Sequence, residues 1–566
     1  MLKPITNLYR TAISLNGLWN FQVVQNDFEP VKPLNKPLLI GVPSSYNELY
    51  TDPFIRDHVG LVVYERTLSI PKALTKGELR IRVGAAGNRA KCYIEGQLLS
   101  IHNGGFLPFD FGIPKPFYDK ETLRLTIVLD NRLDFETLPI GVVVSDSGVD
   151  KQQINHDFAN LTGIHRDVFL YSVPKERIED IIIKTHGHNL QASIHYQINT
   201  TAISTLIKIY DPSGAVVAEA KGTSGTLLIH HPKLWDIGQG NLYTFEVRTS
   251  EDLYSEKFGI RDIEVKEGQF LLNGKPVYFK GFGMHEDHVT LGKGSISALN
   301  VRDFELLKWI NANSFRTSHY PYAEEMYQLA DEMGILVIDE IPAVGLNFWS
   351  PRTVFTEGTV DQKTLKVHQS QLTELIQRDK NHPSVVMISV ANEANTQEGG
   401  AYAYFSEVFK HVRTLTDLPI MIVEWVGAND NKVAQLADVI GLNRYIAWYT
   451  DFTDLSVIAK KLTAELTNYH EKFKKPILLS EFGADTIAGL HQLPSVAFSE
   501  EFQVEFIAEY QKTIHQLPFV IGEHVWNFAD FLTKPGLQRF HGNKKGVFTR
   551  DRQPKMAAHW LRKTWE

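Results

Sequence analysis

In the C-terminal half of the chain, short apolar runs end one after another on residues that can move protons or bind polar groups. His285, Glu286, Asp287 and His288 follow the first run, Arg316 and His319 the second, Asp339 and Glu340 the third, and Asn392 and Glu393 the fourth. The later runs end on Glu424, on Asn443, Arg444 and Tyr445, on Glu481, and on Trp526 and Asn527. Glu393 and Glu481 close the fourth and seventh runs, which face each other if the runs are the staves of a small barrel. Two carboxyls about 5 to 5.5 Å apart are what a retaining glycosidase needs: one attacks the anomeric carbon, while the other first donates a proton and then activates water. Spacing alone does not say which glutamate does which, and a pair of buried structural glutamates is the alternative reading.

The elements that would position these residues follow from the hydrophobic rhythm. The runs 276–282, 313–318, 335–339, 385–391, 420–424, 438–442, 476–480 and 519–525 read as strands. Between them lie segments of helical period, such as 322–333, where Met326, Leu329, Ala330 and Met333 share one face. Near-continuous apolar strands alternating with helices make a parallel sheet covered on its outside. Eight of them in about 300 residues fit a closed (β/α)8 TIM barrel over 269–566, with its site at the C-terminal strand ends. Upstream the period is two. Leu79, Ile81 and Val83 alternate with Arg80 and Arg82, and Leu123, Leu125, Ile127 and Leu129 alternate with more polar partners. Turn signals such as Asn103-Gly104-Gly105 complete the pattern of an antiparallel jelly-roll β-sandwich over 1–174. Val173-Pro174 and the charged run 175–180 read as a linker. Alternation resumes at Ala192, Ile194, Tyr196 and Ile198, giving an immunoglobulin-like β-sandwich over 175–268 that reads as a spacer.

Composition narrows the function classes. At about 150 residues per domain, 566 residues suggest three to four domains. A net charge of −8 offers no basic field for a nucleic acid, so none is expected as a partner. No run of eighteen apolar residues and no secretory leader is evident, and the single cysteine, Cys92, cannot close an internal disulfide, so the expectation is no membrane partner and a cytoplasmic location. The 11% aromatic content is compatible with sugar stacking without being specific to it. The His285–His288 run lacks the helical i, i+4 histidine pair of zinc proteases and reads as polar lining of a sugar site. The GNKKG run at 542–546 lacks the spacing and terminal Ser/Thr of a phosphate loop, and Gly281 and Gly283 are only a fragment of a dinucleotide fingerprint. Neither metal nor cofactor is expected.

Longer blocks carry a resemblance. NSFRTSHYPYAEEMYQLADEMGILVIDE (313–340), DKNHPSVVMISVANE (379–393) and SEFGAD (480–485) resemble the corresponding blocks of glycoside hydrolase family 2. Within it, VPSSYNE (42–48), HDFANLTGIHR (156–166), LNRYIAWY (442–449), VWNFADF (525–531) and GNKKGVFTRDR (542–552) resemble the β-glucuronidase branch, so the likeness spans essentially the whole chain. The resemblance implies a retaining exo-acting hydrolase of small-molecule β-D-glucuronides, with Glu393 as acid/base and Glu481 as nucleophile. It makes Arg316 and Tyr445 the groups that orient the nucleophile and Asn392 the contact to the sugar 2-hydroxyl. His319, Asn443 and Trp526 join the substrate-binding set, and Asp157 reaches over to the sugar hydroxyls. Asn543 and Lys545 become the readers of the C6 carboxylate, with Arg539 adding charge nearby. It also implies a homo-oligomer, dimer or tetramer. Galacturonides, galactosides and mannosides are the rival substrates, and a glycan-binding protein without catalysis is the rival from another class. Two departures stand out. The segment 346–362 is short and carries Phe348, Trp349 and Phe355 where an aglycone would lie, and Ile446 stands where many relatives have a second tyrosine.

Overall fold

The computed structural model describes residues 2–26 and 28–566. The first sandwich pairs a six-stranded sheet, in the order Leu38–Val42, Gly17–Val24, Leu61–Ser69, Thr122–Asp130, Arg89–Ile94 and Gln97–Asn103, with a four-stranded one, Thr11–Ser14, Val168–Val173, Glu78–Val83 and Phe109–Gly112. All pairings are antiparallel. The period-two reading holds on the inner face, where Leu79, Ile81, Val83, Leu123, Leu125, Ile127 and Leu129 are buried around Trp19 and Phe21. It fails on the outer face at Arg82. That guanidinium is buried because the C-terminal domain covers it, and it bonds both oxygens of Glu324 at 2.9 and 3.0 Å.

The second sandwich packs a three-stranded sheet (Ile178–His188, Gln191–Thr200, Ser224–His230) against a four-stranded one (Val216–Lys221, Leu206–Tyr210, Leu242–Arg248, Leu253–Gly259). Ala192, Ile194, Tyr196 and Ile198 point inward as their alternation requires, and meet Ile207, Phe245 and Val247.

The remainder is a closed barrel of eight parallel strands: β1 (Phe279–Gly283), β2 (Ser314–Arg316), β3 (Leu336–Glu340), β4 (Val385–Asn392), β5 (Ile420–Glu424), β6 (Val439–Asn443), β7 (Ile477–Glu481) and β8 (Val520–Val525). Every apolar run of the sequence is one of them. From β2 to β8 each strand residue is buried, the pattern expected of a sheet covered on both faces. Outside lie α1 (Ser297–Trp309), α2 (Glu324–Met333), α3 (Gln362–Asp379), α4 (Gly399–Leu415), α5 (Ile458–Phe473), α6 (Glu500–Ile514) and α7 (Met556–Thr564). The crossover from β5 to β6 is an exception: its polar WVGANDNKV stretch supports only a single 3-10 turn, Ala434–Leu436. Helix α2 ends where Gly334 adopts the left-handed conformation (φ 69°), and a Cβ there would lie 2.5 Å from the backbone nitrogens of Gly238 and Gln239. The opposite, N-terminal end of the barrel is plugged by a small sheet (Ile263–Lys266, Gln269–Leu272, Lys275–Pro276), whose Phe270 and Leu272 pack on Leu336, Ile338 and Leu478.

The His285–Asp287 stretch clamps the first sandwich to the barrel, which corrects its reading as sugar-site lining. Glu286 accepts from Arg166 at 2.9 Å and from the backbone N–H of Ala323 at 2.7 Å. Asp287 accepts from Arg550, which also bonds Glu48 of the sandwich at 2.8 Å. Carboxylates buried beside arginines at a domain junction cost little only while both partners stay together. Among the described residues no helix is long and apolar enough to cross a membrane, and no group of three or more His, Cys, Asp or Glu is placed to hold a metal ion.

Candidate active site

At the C-terminal ends of the barrel strands opens a cavity of about 1020 Å³, near the upper end of ordinary ligand pockets. Asp157, His319, Asn392, Glu393, Asn443, Tyr445, Glu481, Trp526, Arg539 and Asn543 all line it, whereas Arg316 and Lys545 stand directly behind its wall, fully buried. Glu481, the last residue of β7, accepts from Nη2 of Arg316 at 2.5 Å through Oε1 and from the hydroxyl of Tyr445 at 2.7 Å through Oε2. Arg316 is itself fixed, since Nη1 reaches both oxygens of Glu340 at 2.8 Å, and Glu340 is held in turn by His319 (2.7 Å) and Ser389 (2.6 Å). Glu393 follows β4 in a left-handed backbone conformation (φ 53°), and its Oε1 accepts from Asn443 Nδ2 at 2.9 Å. Asn443 also bonds the Asn392 amide oxygen at 3.2 Å and is oriented by Ser480 at 2.8 Å. Trp526 stacks on His319 with ring centroids 5.2 Å apart. Its six-membered ring closes over Gly283, where a Cβ would come within 2.6 Å, so only glycine fits.

Burial pushes the Glu481 carboxyl up to about 8, against the pull of the Arg316 guanidinium, and the Glu393 charge adds to the rise. Burial raises Glu393 too, against the Asn443 amide. Two buried carboxyls in one cavity resist ionising together, which favours a single proton shared between them.

The far end of the cavity is a cluster of cations and donors. Asp157, arriving from the first sandwich, accepts from Arg539 Nε at 2.9 Å and from Asn543 Nδ2 at 3.0 Å. Lys545 Nζ donates to the Tyr449 hydroxyl at 2.8 Å and to Asp485, and Arg539 Nη2 donates to the same phenol oxygen at 2.7 Å. Burial works to raise the Asp485 carboxyl, but Lys545 and Arg539 hold it below the usual range. A phenol oxygen that accepts from two cations keeps its own proton free to donate into the cavity.

Comparison with known proteins places this architecture. Sequence profiles described as glycosyl hydrolases family 2, sugar binding domain, as glycosyl hydrolases family 2, and as the family's TIM barrel domain match residues 12–174, 176–261 and 263–566. The chain belongs to glycoside hydrolase family 2. A beta-glucuronidase of Paenibacillus borealis is 43% identical, the match covering all of this chain and 98% of that one. The solved beta-glucuronidase of an uncultured Clostridium superposes with a TM-score of 0.96 at 45% identity, over 100% of this chain and 99% of that one. The β-glucuronidase of Ruminococcus gnavus in complex with D-glucuronic acid superposes at 0.94 and 36% identity, over 100% and 99%.

Within this family frame, several sequence expectations need correcting. Asp339, Glu340 and Glu424 end barrel strands but are buried away from the cavity, Asp339 against Tyr327 and Glu424 against Thr396. Of the three aromatics after β3 only Trp349 lines the cavity. Phe348 packs toward Phe135 and Phe355 is buried against Tyr404 and Phe405. Tyr449 and Asp485 join the site without a mark of their own in the sequence, although both lie in blocks that carry the resemblance. Their only sequence signal is that a lysine destined for burial needs a carboxylate somewhere.

Proposed function

We propose that this protein is a retaining exo-β-glucuronidase that releases D-glucuronate from β-D-glucuronides. One juxtaposition carries the reading: a carboxyl pair at one end of a cavity and, at the other, Arg539, Asn543 and Tyr449, a donor set suited to a sugar carboxylate and backed by the buried Lys545, which donates to the Tyr449 hydroxyl. The donors around each glutamate set the roles. A guanidinium and a phenol serve Glu481, one neutral amide serves Glu393, so the charge resides on Glu481 and the shared proton on Glu393. Glu481 attacks C1 while Glu393 passes its proton to the departing oxygen, leaving a covalent glycosyl-enzyme. Glu393, now ionised, takes a proton from water as the water oxygen attacks C1 and the bond to Glu481 breaks. In this reading Asn392 takes the 2-hydroxyl and Asp157 the ring hydroxyls farther along.

The relatives named beta-glucuronidase and the neighbour solved with D-glucuronic acid support this substrate class. The lone cysteine supports a cytoplasmic location, and a homo-oligomer is carried only by the family resemblance. Initial rates on the p-nitrophenyl β-D-glucuronide, galacturonide, glucoside and galactoside test the reading. The glucuronide is expected to win by orders of magnitude, with Glu481→Ala inactive. A faster galacturonide would keep the mechanism and change the sugar, and no turnover of any of them would refute the proposal.

A further inference from the structure

The wall of the cavity beside Glu393 includes two indoles and, beside them, buried polar atoms that have no partner among the described residues. Trp349 and Trp425 pack with ring centroids 4.9 Å apart, tilted by 51°. Both indole N–H groups are already spent on backbone carbonyls, Trp349 on Asn155 at 3.3 Å and Trp425 on Ala394 at 3.2 Å, so what they offer a ligand is aromatic face. Trp349 is 55% exposed. Beside them, Asn347 is only 4% exposed, its Oδ1 accepting from the Trp349 backbone N–H at 3.0 Å while its Nδ2 has no partner among the described residues. His156, 3% exposed and reaching the same cavity from the first sandwich, has both ring nitrogens unpartnered among the described residues. This wall is tied to the strand that carries Glu393: Asn395 N–H donates to Leu346 O at 2.9 Å and Asn392 N–H to Ala343 O at 3.1 Å. A leaving group that takes its proton from Glu393 therefore emerges against it.

Buried polar groups are normally paired, and each exception calls for a partner. A flat hydrocarbon would cover the indoles and strand the Asn347 amide and the His156 ring. A pyranose does both jobs, because its C–H face lies on an aromatic ring while its hydroxyls donate and accept at the edge. We propose that this wall is a saccharide subsite, and that the preferred substrates are β-glucuronides whose leaving group is a second sugar ring. The inference rests on the glucuronidase reading above. The step balances as ordinary hydrolysis: the Glu393 proton goes to the saccharide oxygen, and water supplies the new C1 hydroxyl and reprotonates Glu393.

The test compares three substrates with alkoxide leaving groups: methyl β-D-glucuronide, cyclohexyl β-D-glucuronide, and a disaccharide in which the same glucuronosyl group is β-linked to a hexopyranose. The disaccharide is expected to exceed both others in kcat/KM by at least tenfold. Asn347→Ala should lower the disaccharide-to-cyclohexyl ratio about tenfold, whereas Trp349→Ala, at an exposed position, should lower both ring substrates relative to methyl β-D-glucuronide. A wild-type enzyme that prefers the cyclohexyl compound, or ratios unmoved in both variants, would overturn the saccharide subsite while leaving the glucuronidase standing. Failure to turn over even methyl β-D-glucuronide would remove the reading beneath it.

Discussion

Replacing Lys545 by methionine separates recognition from stability. The ammonium has no exposed surface and its partner Asp485 is 3% exposed, so the substitution keeps the volume filled but strands a buried carboxylate. Asp485 would retain the Trp448 indole N–H at 3.0 Å and the Lys544 backbone N–H at 2.8 Å, with Arg539 at 3.8 Å. Breaking a buried pair costs about 3–5 kcal/mol, and these remaining donors place the loss near about 3 kcal/mol. Recognition suffers separately. A hydrogen bond to a charged group contributes about 1.5–3 kcal/mol. At about 1.4 kcal/mol per factor of ten, the glucuronide-to-glucoside ratio of kcat/KM should fall roughly 10- to 150-fold. The double variant Lys545→Met/Asp485→Asn removes the stranded charge, so urea denaturation should show most of the stability restored while the ratio stays low. If the single variant lowered both substrates equally, Lys545 would not read the carboxylate. If the double variant were no more stable than the single one, the accounting of the stranded charge would be wrong.

Four further outcomes are expected. Glu393→Gln should lower kcat/KM by about 10²–10⁴ for alkyl glucuronides, which need a proton on the leaving oxygen, and far less for 2,4-dinitrophenyl glucuronide, which does not; equal losses would contradict the acid role. The pH profile should be a bell, because at low pH both carboxyls are protonated and Glu481 cannot attack, while at higher pH Glu393, which burial raises above the ordinary carboxylate range, loses its proton and no acid remains. Tyr445→Phe removes a donor to the charged Glu481 and should raise the pH at which the acid limb appears; an unmoved limb would argue against that contact. Arg166→Met leaves Glu286 buried without its guanidinium, a loss of about 3–5 kcal/mol by breaking a buried pair, readable by denaturation followed with circular dichroism.

What the sequence disclosed, and what it hid, divides along a physical line. The eight barrel strands were legible because a strand covered on both faces must be apolar throughout, and the polar residues ending each run had only one end of the barrel to go to. Local pattern could not say which of those polar residues face the cavity and which face inward. Glu340 and Glu481 end strands in the same way, yet one supports Arg316 from behind and the other meets the ligand space. Arg82 lies on a face that alternation marks as wet, and only the docking of another domain makes it dry. The His285–Asp287 stretch is ambiguous for the same reason: a charge cluster after a strand is equally consistent with a sugar or with arginines 120 and 263 positions away in the chain. Asp485 and Tyr449 complete a network whose other members lie near residue 540, a pairing that no local window contains.

Asp157 comes from a domain with a hydrophobic core of its own, while its neighbour Phe158 packs into the barrel core, and it anchors Arg539 and Asn543 on the far side of the cavity. The catalytic vessel is therefore assembled by docking two independently cored units. Partial separation along the arginine-rich seam would spill the carboxylate-reading corner while both carboxyls and all eight staves stayed in place. On gentle denaturation, discrimination between charged and neutral sugars should be the first property to disappear, ahead of any change in helix or strand content, so substrate preference serves as a gauge of quaternary-like fit inside a single polypeptide.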